Sequence, residues 1–320
     1  MSVTAQPPIL VAHEVREAIN DGHPVICLES AVITHGLPRP ANSQAVWRSA
    51  HAARHEGVLS ATVGVIDGRL KIGLSDDDLN RLSDPDETLH KIGVGDLAVA
   101  LARGLTGGTT VSSTLWAASR VGVKVVSTGG LGGVHRGAFM VRDESSDLTV
   151  LSQAPVALVC AGPKAVLDLA STLERLETLA VPVLGLRVSE MPGFYYNDTA
   201  IRIEHAVTDE AEAARIFRTH RALERKGGVV LMNPVPAEAA LTRAEVDPVI
   251  EEAQERATQG GVRGKDITPH LLSAVREALG ERALAVNLAI LEDNARVAAR
   301  LAYHMHRELP DRGQAGREGA

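Results

Sequence analysis

Aromatic side chains are nearly absent from this chain: three Phe, two Trp and three Tyr make up 2% of its 320 residues. Val, Leu, Ile and Ala must therefore build the core, which favours layered packing of strands and helices. The same scarcity argues against nucleic-acid binding by base stacking, which needs exposed rings. Cysteine is scarce too. Cys27 and Cys160 sit in apolar runs with no CxxC pair, so they read as buried small hydrophobes in a reducing compartment. The chain lacks any apolar run of about 18 residues and any basic-plus-apolar leader pattern, so the expectation is a cytoplasmic protein with no membrane partner. Positive charge is in deficit: 33 Lys and Arg against 40 Asp and Glu give a formal charge of −7, which offers a polyanion no general attraction. Local basic residues can still hold one phosphate.

What is present is ordinary for a globular protein, 45% hydrophobic and 23% charged. Short apolar runs at 24–28, 123–127, 156–160, 181–186 and 229–232 alternate with helical patterns. That alternation predicts an α/β fold, a mainly parallel sheet sandwiched between helices (α/β/α) in a single domain over 1–309. Residues 1–9 read as a loose arm and 310–320 as a disordered tail. Asp67-Gly68 between two apolar runs predicts a hairpin. Helices are expected from about Val11 to Gly22, from an Asn42 cap to Gly57, and from Gly107-Gly108-Thr109-Thr110 to Gly122. Others are expected directly after Lys164 to about Leu179, over 209–226, from Asp247-Pro248, from Thr268-Pro269 to Gly280, and over 282–309. The polar stretch 75–87 carries no assigned element.

In open α/β sheets ligands bind beyond the carboxyl ends of the strands. Four segments put unusual residues at such ends: Glu29-Ser30, 107–110, the glycine loop 128–137, and Gly162-Pro163-Lys164. Four glycines within 129–133 exceed what a simple turn requires and suit close backbone approach to a ligand. Lys164, placed by this reading at a helix N-terminus, meets the positive end of the dipole, which favours the neutral amine that a Schiff-base nucleophile needs. The plain alternative is a surface lysine with its stem along apolar surface. Glu29, if buried, would have a raised pKa and serve as a general acid; otherwise it is a solvated carboxylate opening a loop. The acidic run Asp143-Glu144-Ser145-Ser146-Asp147 offers hard oxygen ligands suited to Mg²⁺ or Mn²⁺, or else is an acidic surface turn.

Together these segments resemble the pseudouridine-5′-phosphate glycosidase family from about Val11 to Ala302. The family's L-E-S-T-I-I-T-H-G-like run reads Leu28-Glu29-Ser30-Ala31-Val32-Ile33-Thr34-His35-Gly36, and its T-G-G-I-G-G-V-H-R-G loop is 128–137 with Leu131 for Ile. D-I-S-A-D is matched by 143–147, C-A-G-A-K by Cys160-Ala161-Gly162-Pro163-Lys164, N-P-I-P by 233–236, and G-K-x-x-T-P-x-L-L by 264–272. The resemblance implies cleavage of the carbon–carbon glycosidic bond of pseudouridine 5′-phosphate, with Lys164 as covalent nucleophile and Glu29 as proton donor. It implies that Asp143 serves a divalent metal, usually Mn²⁺, and that Lys91, Val111, Ser145, Ser146 and Asp147 contact substrate. Thr110, His135 and Asn287 fall where they would line the same pocket, and the family is similar in being homotrimeric. One departure stands out. Where the family reads K-V-S-R-R-D, this chain has Lys91-Ile92-Gly93-Val94-Gly95-Asp96, without either arginine. Three other readings remain: a C-glycoside synthase joining ribose 5-phosphate to another aglycone, a non-catalytic sugar-phosphate binding protein, and a Schiff-base aldolase.

Overall fold

The computed structural model describes residues 9–136, 143–262 and 267–307. The expected tail, most of the expected arm, Gly137 of the glycine loop, and Gly264 and Lys265 lie outside them. The elements run β1 (Ile9–Val11), α1 (His13–Asn20), β2 (Val25–Leu28), α2 (Ala41–His55), β3 (Leu59–Ile66), β4 (Arg69–Ile72), α3 (Asp76–Leu82) and β5 (His90–Ile92). They continue α4 (Leu97–Ala102), β6 (Gly107–Thr109), α5 (Val111–Val121), β7 (Val125–Ser127), β8 (Val134–His135), α6 (Ser146–Leu151), β9 (Ala157–Cys160) and β10 (Leu167–Asp168). The last are α7 (Leu169–Thr178), β11 (Val183–Leu186), β12 (His205–Val207), α8 (Glu210–Ala222), β13 (Val229–Met232), α9 (Arg243–Gln259) and α10 (Ile267–His306).

The main sheet has the order β1-β4-β3-β2-β7-β9-β13-β11-β12, and every pair from β3 to β12 is parallel. The antiparallel pairings lie at one side, where β4 and β6 both run against β3. Within β2, Val25 and Cys27 join the core under α1, α4 and α5, while Ile26 and Leu28 join the core under α2, α8 and α10. Apolar residues on both faces of one strand are what two helical layers require. The fold is therefore the predicted single-domain α/β sandwich. Burial also keeps Cys27 and Cys160 as free thiols, each pushed up to about 12.

Several local expectations are corrected. Ile9 belongs to an edge strand and not to a loose arm. The stretch 75–87 contains α3, whose Ser75 and Asp78 exchange capping hydrogen bonds of 3.2 and 3.1 Å. Asn42 lies inside α2 and is not its N-cap; its Oδ1 accepts Ser43 N–H at 2.8 Å and its amide donates to Ile33 O at 3.1 Å, pinning the loop after β2. Residues 107–109 form β6 and not a ligand loop, because a Cβ at Gly108 would lie 2.6 Å from Ser30 O. The helix expected at Lys164 starts at Leu169 instead. Leu167 and Asp168 pair with His135 and Val134, and Asp168 then caps α7 through Ser171 N–H at 2.9 Å. Lys164 therefore does not stand at a helix N-terminus, and no helix dipole there favours its neutral amine. Helix α9 begins at Arg243, where Thr242 N–H donates to Glu245 at 2.9 Å, and Pro248 lies inside it. The two closing helices run on as α10, broken at Gly280 (φ 56°) as the sequence predicts.

Candidate active site

The ladder between β7 and β9 does not stop at the strand ends. Thr128 N–H donates to Val159 O, Ala161 N–H to Gly129 O, Leu131 N–H to Gly162 O and Lys164 N–H to Leu131 O, at 3.0, 2.9, 3.0 and 3.0 Å. The glycine loop and the lysine loop thus form one ribbon that carries Lys164 to the sheet edge where Glu29 leaves β2. Asp147 secures the ribbon from the other side, accepting Ser112 N–H at 2.8 Å and Gly132 N–H at 2.9 Å. A Cβ at Gly132 would lie 2.4 Å from Ser145 Oγ and 2.6 Å from Asp147 Oδ2. Gly132→Ala is expected to destabilise the protein by about 1–3 kcal/mol, read from the urea midpoint.

All eleven residues expected at the site come together around one cleft with two lobes. The first lobe, about 610 Å³, is lined by Glu29, Lys91, Lys164 and Asn287 with apolar walls from Val32, Leu37, Phe194, Leu272 and Leu291. The second, about 1240 Å³, is polar: Thr110, Val111, His135, Asp143, Ser145, Ser146 and Asp147 line it with Lys91. Glu29 and Lys164 line both and stand at the junction. Hydroxyls tie the polar lobe together, with Thr110 Oγ1 and Ser112 Oγ 2.9 Å apart and Ser146 Oγ donating to Ser112 Oγ at 3.0 Å.

Burial raises the pKa of Glu29; the charges of Lys164 and Lys91 and a 2.5 Å hydrogen bond from Thr128 Oγ1 oppose the rise without cancelling it. Thr128 is itself fixed. Asn294 Nδ2 donates to its carbonyl at 2.8 Å, and Asn233 Nδ2 donates to Asn294 Oδ1 at 3.1 Å. Burial, with the charges of Lys91 and Lys164, holds His135 below the usual imidazole range, and Asp143 only partly offsets this. His35 is lowered in the same way by burial, Lys91 and His90. In both, the lowering favours the neutral ring.

The acidic run divides by role. Glu144 pairs with Arg175 at 2.8 Å, and Asp147 holds two backbone amides, which leaves the Asp143 carboxylate at the cleft beside His135. Among the described residues no group of three or more His, Cys, Asp or Glu gathers to cage a metal. One carboxylate fits a hard divalent ion that keeps most of its ligands as water and substrate oxygens. Sequence reasoning gave no role to Thr128, His35, Phe194 or Thr268. Thr128 and His35 lie inside quoted motifs, whereas Phe194 sits in a motif-free loop at φ 69°.

A cleft with a lysine and a half-buried glutamate at the carboxyl edge of a parallel sheet defines an α/β enzyme. The chain matches the family described as Indigoidine synthase A like protein over residues 14–304, and it belongs to that family. Similar proteins include pseudouridine-5′-phosphate glycosidase of Caldanaerobacter subterraneus subsp. tengcongensis, 42% identical over 93% of this chain and 96% of the relative. Pseudouridine-5′-phosphate glycosidase of Saccharopolyspora erythraea is 44% identical over 92% of this chain and 97% of its own. Among solved structures, the prealnumycin C-glycosynthase AlnA in complex with ribulose 5-phosphate superposes with a TM-score of 0.87 at 31% identity, covering 94% of this chain and 98% of that one. An indigoidine synthase A-like protein from Thermotoga maritima gives 0.86 at 31% identity, covering 96% and 100%. The resemblance read from the motifs is borne out. Among the described residues no helix is long and apolar enough to cross a membrane.

Proposed function

We propose that this chain is a pseudouridine-5′-phosphate glycosidase, reversibly splitting pseudouridine 5′-phosphate into uracil and ribose 5-phosphate through a Lys164 Schiff base. The observation that carries the reading is the junction: Glu29 and Lys164 stand between an apolar lobe fit for a planar base and a polar lobe fit for a sugar phosphate. In a C-nucleoside the base leaves as carbon, so protonating a ring nitrogen does not release it. Neutral Lys164 Nζ bonds C1′ as the ribose ring oxygen leaves, and the proton the nitrogen then sheds ends on that oxygen. The nitrogen lone pair then forms C1′=N while the C1′–C5 bond breaks, and Glu29 delivers a proton to C5 of uracil. Water hydrolyses the imine to ribose 5-phosphate. Dividing one hard step into covalent stages is the advantage of such a nucleophile. Lys91 and the hydroxyls of Thr110, Ser145 and Ser146 orient the sugar phosphate, and Asn287 and Phe194 seat the base.

Asp143, with His135 beside it, would hold a Mn²⁺ ion that would supply positive charge to substrate oxygens. The proposed assembly is a homotrimer in the cytoplasm, with the oligomer checked by light scattering. Chromatographic detection of uracil and ribose 5-phosphate from pseudouridine 5′-phosphate tests the activity; folded, manganese-loaded protein that releases neither sinks it.

A second reading, a synthase joining ribose 5-phosphate to another aglycone, is supported by the likeness to a C-glycosynthase and by the arginine-free segment 93–96. Gly93, Gly95 and Asp96 line the polar lobe, and a Cβ at Gly95 would meet nothing within 4 Å. Gly95→Arg is therefore expected to tighten ribose 5-phosphate binding by about tenfold, measured by calorimetry, since a charge-assisted hydrogen bond is worth about 1.5–3 kcal/mol. Unchanged affinity would separate this segment from the phosphate.

A further inference from the structure

Glu29 has a second side. Next to the apolar lobe, with which it shares Glu29, Val32 and Leu291, lies a small cavity whose polar lining is Glu29, Ser49, Thr62 and Ser127 and whose remaining wall is apolar. Its floor follows from strand register: Leu28 pairs with Thr62 on β3 and with Ser127 on β7, so three adjacent parallel strands present these side chains at one level on one face. Helices α2 and α10 close the roof, where Ser49 Oγ donates to Leu291 O at 3.2 Å.

Thr62 and Ser127 are 6% and 3% exposed, and among the described residues neither hydroxyl has a protein hydrogen-bond partner. No fully enclosed side-chain polar atom among those residues is unpartnered, so both oxygens face space that a water-sized body can enter. Buried hydroxyls are almost always hydrogen-bonded, and a polar cavity offering two to four partners is where an internal water resides. Thr62 and Val46 also line a groove of about 1010 Å³ beside the exposed Trp47 and Arg54. A single layer of side chains therefore separates the cavity from the outer surface.

We propose that a water molecule held by Thr62 and Ser127 reprotonates Glu29 from behind while substrate fills the cleft in front. This rests on the glycosidase reading for the role of Glu29. Once Glu29 has given its proton to C5 of uracil it is a carboxylate, and the front is closed by uracil and the Lys164 imine. The cavity water gives the carboxylate a proton and regains one from solvent through the groove. Acid and charge balance, and Glu29 is reset before uracil leaves. Thr62 and Ser127 are positioning residues, acting through the water.

The test runs the reaction backwards in ordinary water with 5-deuterouracil and ribose 5-phosphate. The wild type is expected to lose deuterium from uracil faster than it accumulates pseudouridine 5′-phosphate, because deuterium on Glu29 escapes behind before it can return to C5. Thr62→Val and Ser127→Ala are each expected to lower the ratio of exchange to net formation by about tenfold, and Thr62→Ser to keep it. An unchanged ratio in both variants overturns the proposal. A high-resolution crystal structure tests the water without substrate: density within hydrogen-bond reach of Thr62 Oγ1 and Glu29 supports it, and an empty cavity refutes it. If the wild type makes no pseudouridine 5′-phosphate, the glycosidase reading fails, while the density still decides the water site.

Discussion

Replacing Lys164 by alanine is expected to slow cleavage of pseudouridine 5′-phosphate by roughly 10⁴-fold or more, with the fold intact. Among the described residues only one other lysine lines both lobes, Lys91, which belongs to β5. The effect on stability is expected to stay below about 1 kcal/mol, because Lys164 is held in the ribbon through its backbone and its side chain faces the cleft. Borohydride treatment with ribose 5-phosphate, followed by intact mass and peptide mapping, reads the chemistry directly. The wild type should carry a reduced sugar-phosphate adduct on Lys164, and the variant none. An adduct that persists in Lys164→Ala, or maps to Lys91, would move the nucleophile.

Glu29→Gln is expected to lower the cleavage rate by about 10²–10⁴-fold while leaving the ribose 5-phosphate imine trappable. Acid and nucleophile are separated by that pair of readouts. The pH profile gives a finer test. Burial raises the Glu29 pKa against Lys164, Thr128 and Lys91, with Asp147 adding to the rise. A general acid works in its protonated form, so the rate is sustained at low pH and falls as pH climbs through that raised value. This alkaline fall is expected to vanish in Glu29→Gln. In Thr128→Val it should move to higher pH, because the lost hydrogen bond favours the carboxylate. A fall that remains in Glu29→Gln would assign it to another group.

Strands buried on both faces were the most legible part of the sequence. VICL, ALVC, VLGL and VVLM are wholly buried, and their continuous apolar runs announced β2, β9, β11 and β13. Strand β6 was hidden because Gly-Gly-Thr has almost no side chain; it is a strand through what its neighbours leave no room for. Helix α3 is hidden in an acidic stretch, and α7 starts four residues later than its pattern suggests because the short β8–β10 pairing leaves no local signal. At the site, residue types and motifs were enough to gather Glu29, Lys91, Lys164 and Asp143. They could not show how the acidic run divides, which depends on Arg175 and on two backbone amides far along the chain.

The two lobes are built by different parts of the chain. The apolar lobe draws on 32–37, Phe194 and α10, the polar lobe on 93–111 and 143–147, and Glu29, Ala31, Lys91, Lys164 and Thr268 are common to both. With base and sugar phosphate assigned to these lobes as proposed, specificity for each half of the substrate is inherited separately. A lineage can exchange one aglycone for another by drift in α10 and the loop after β2, keeping the bond-breaking pair and the sugar it acts on. One scaffold can in this way diversify its products without reinventing its chemistry.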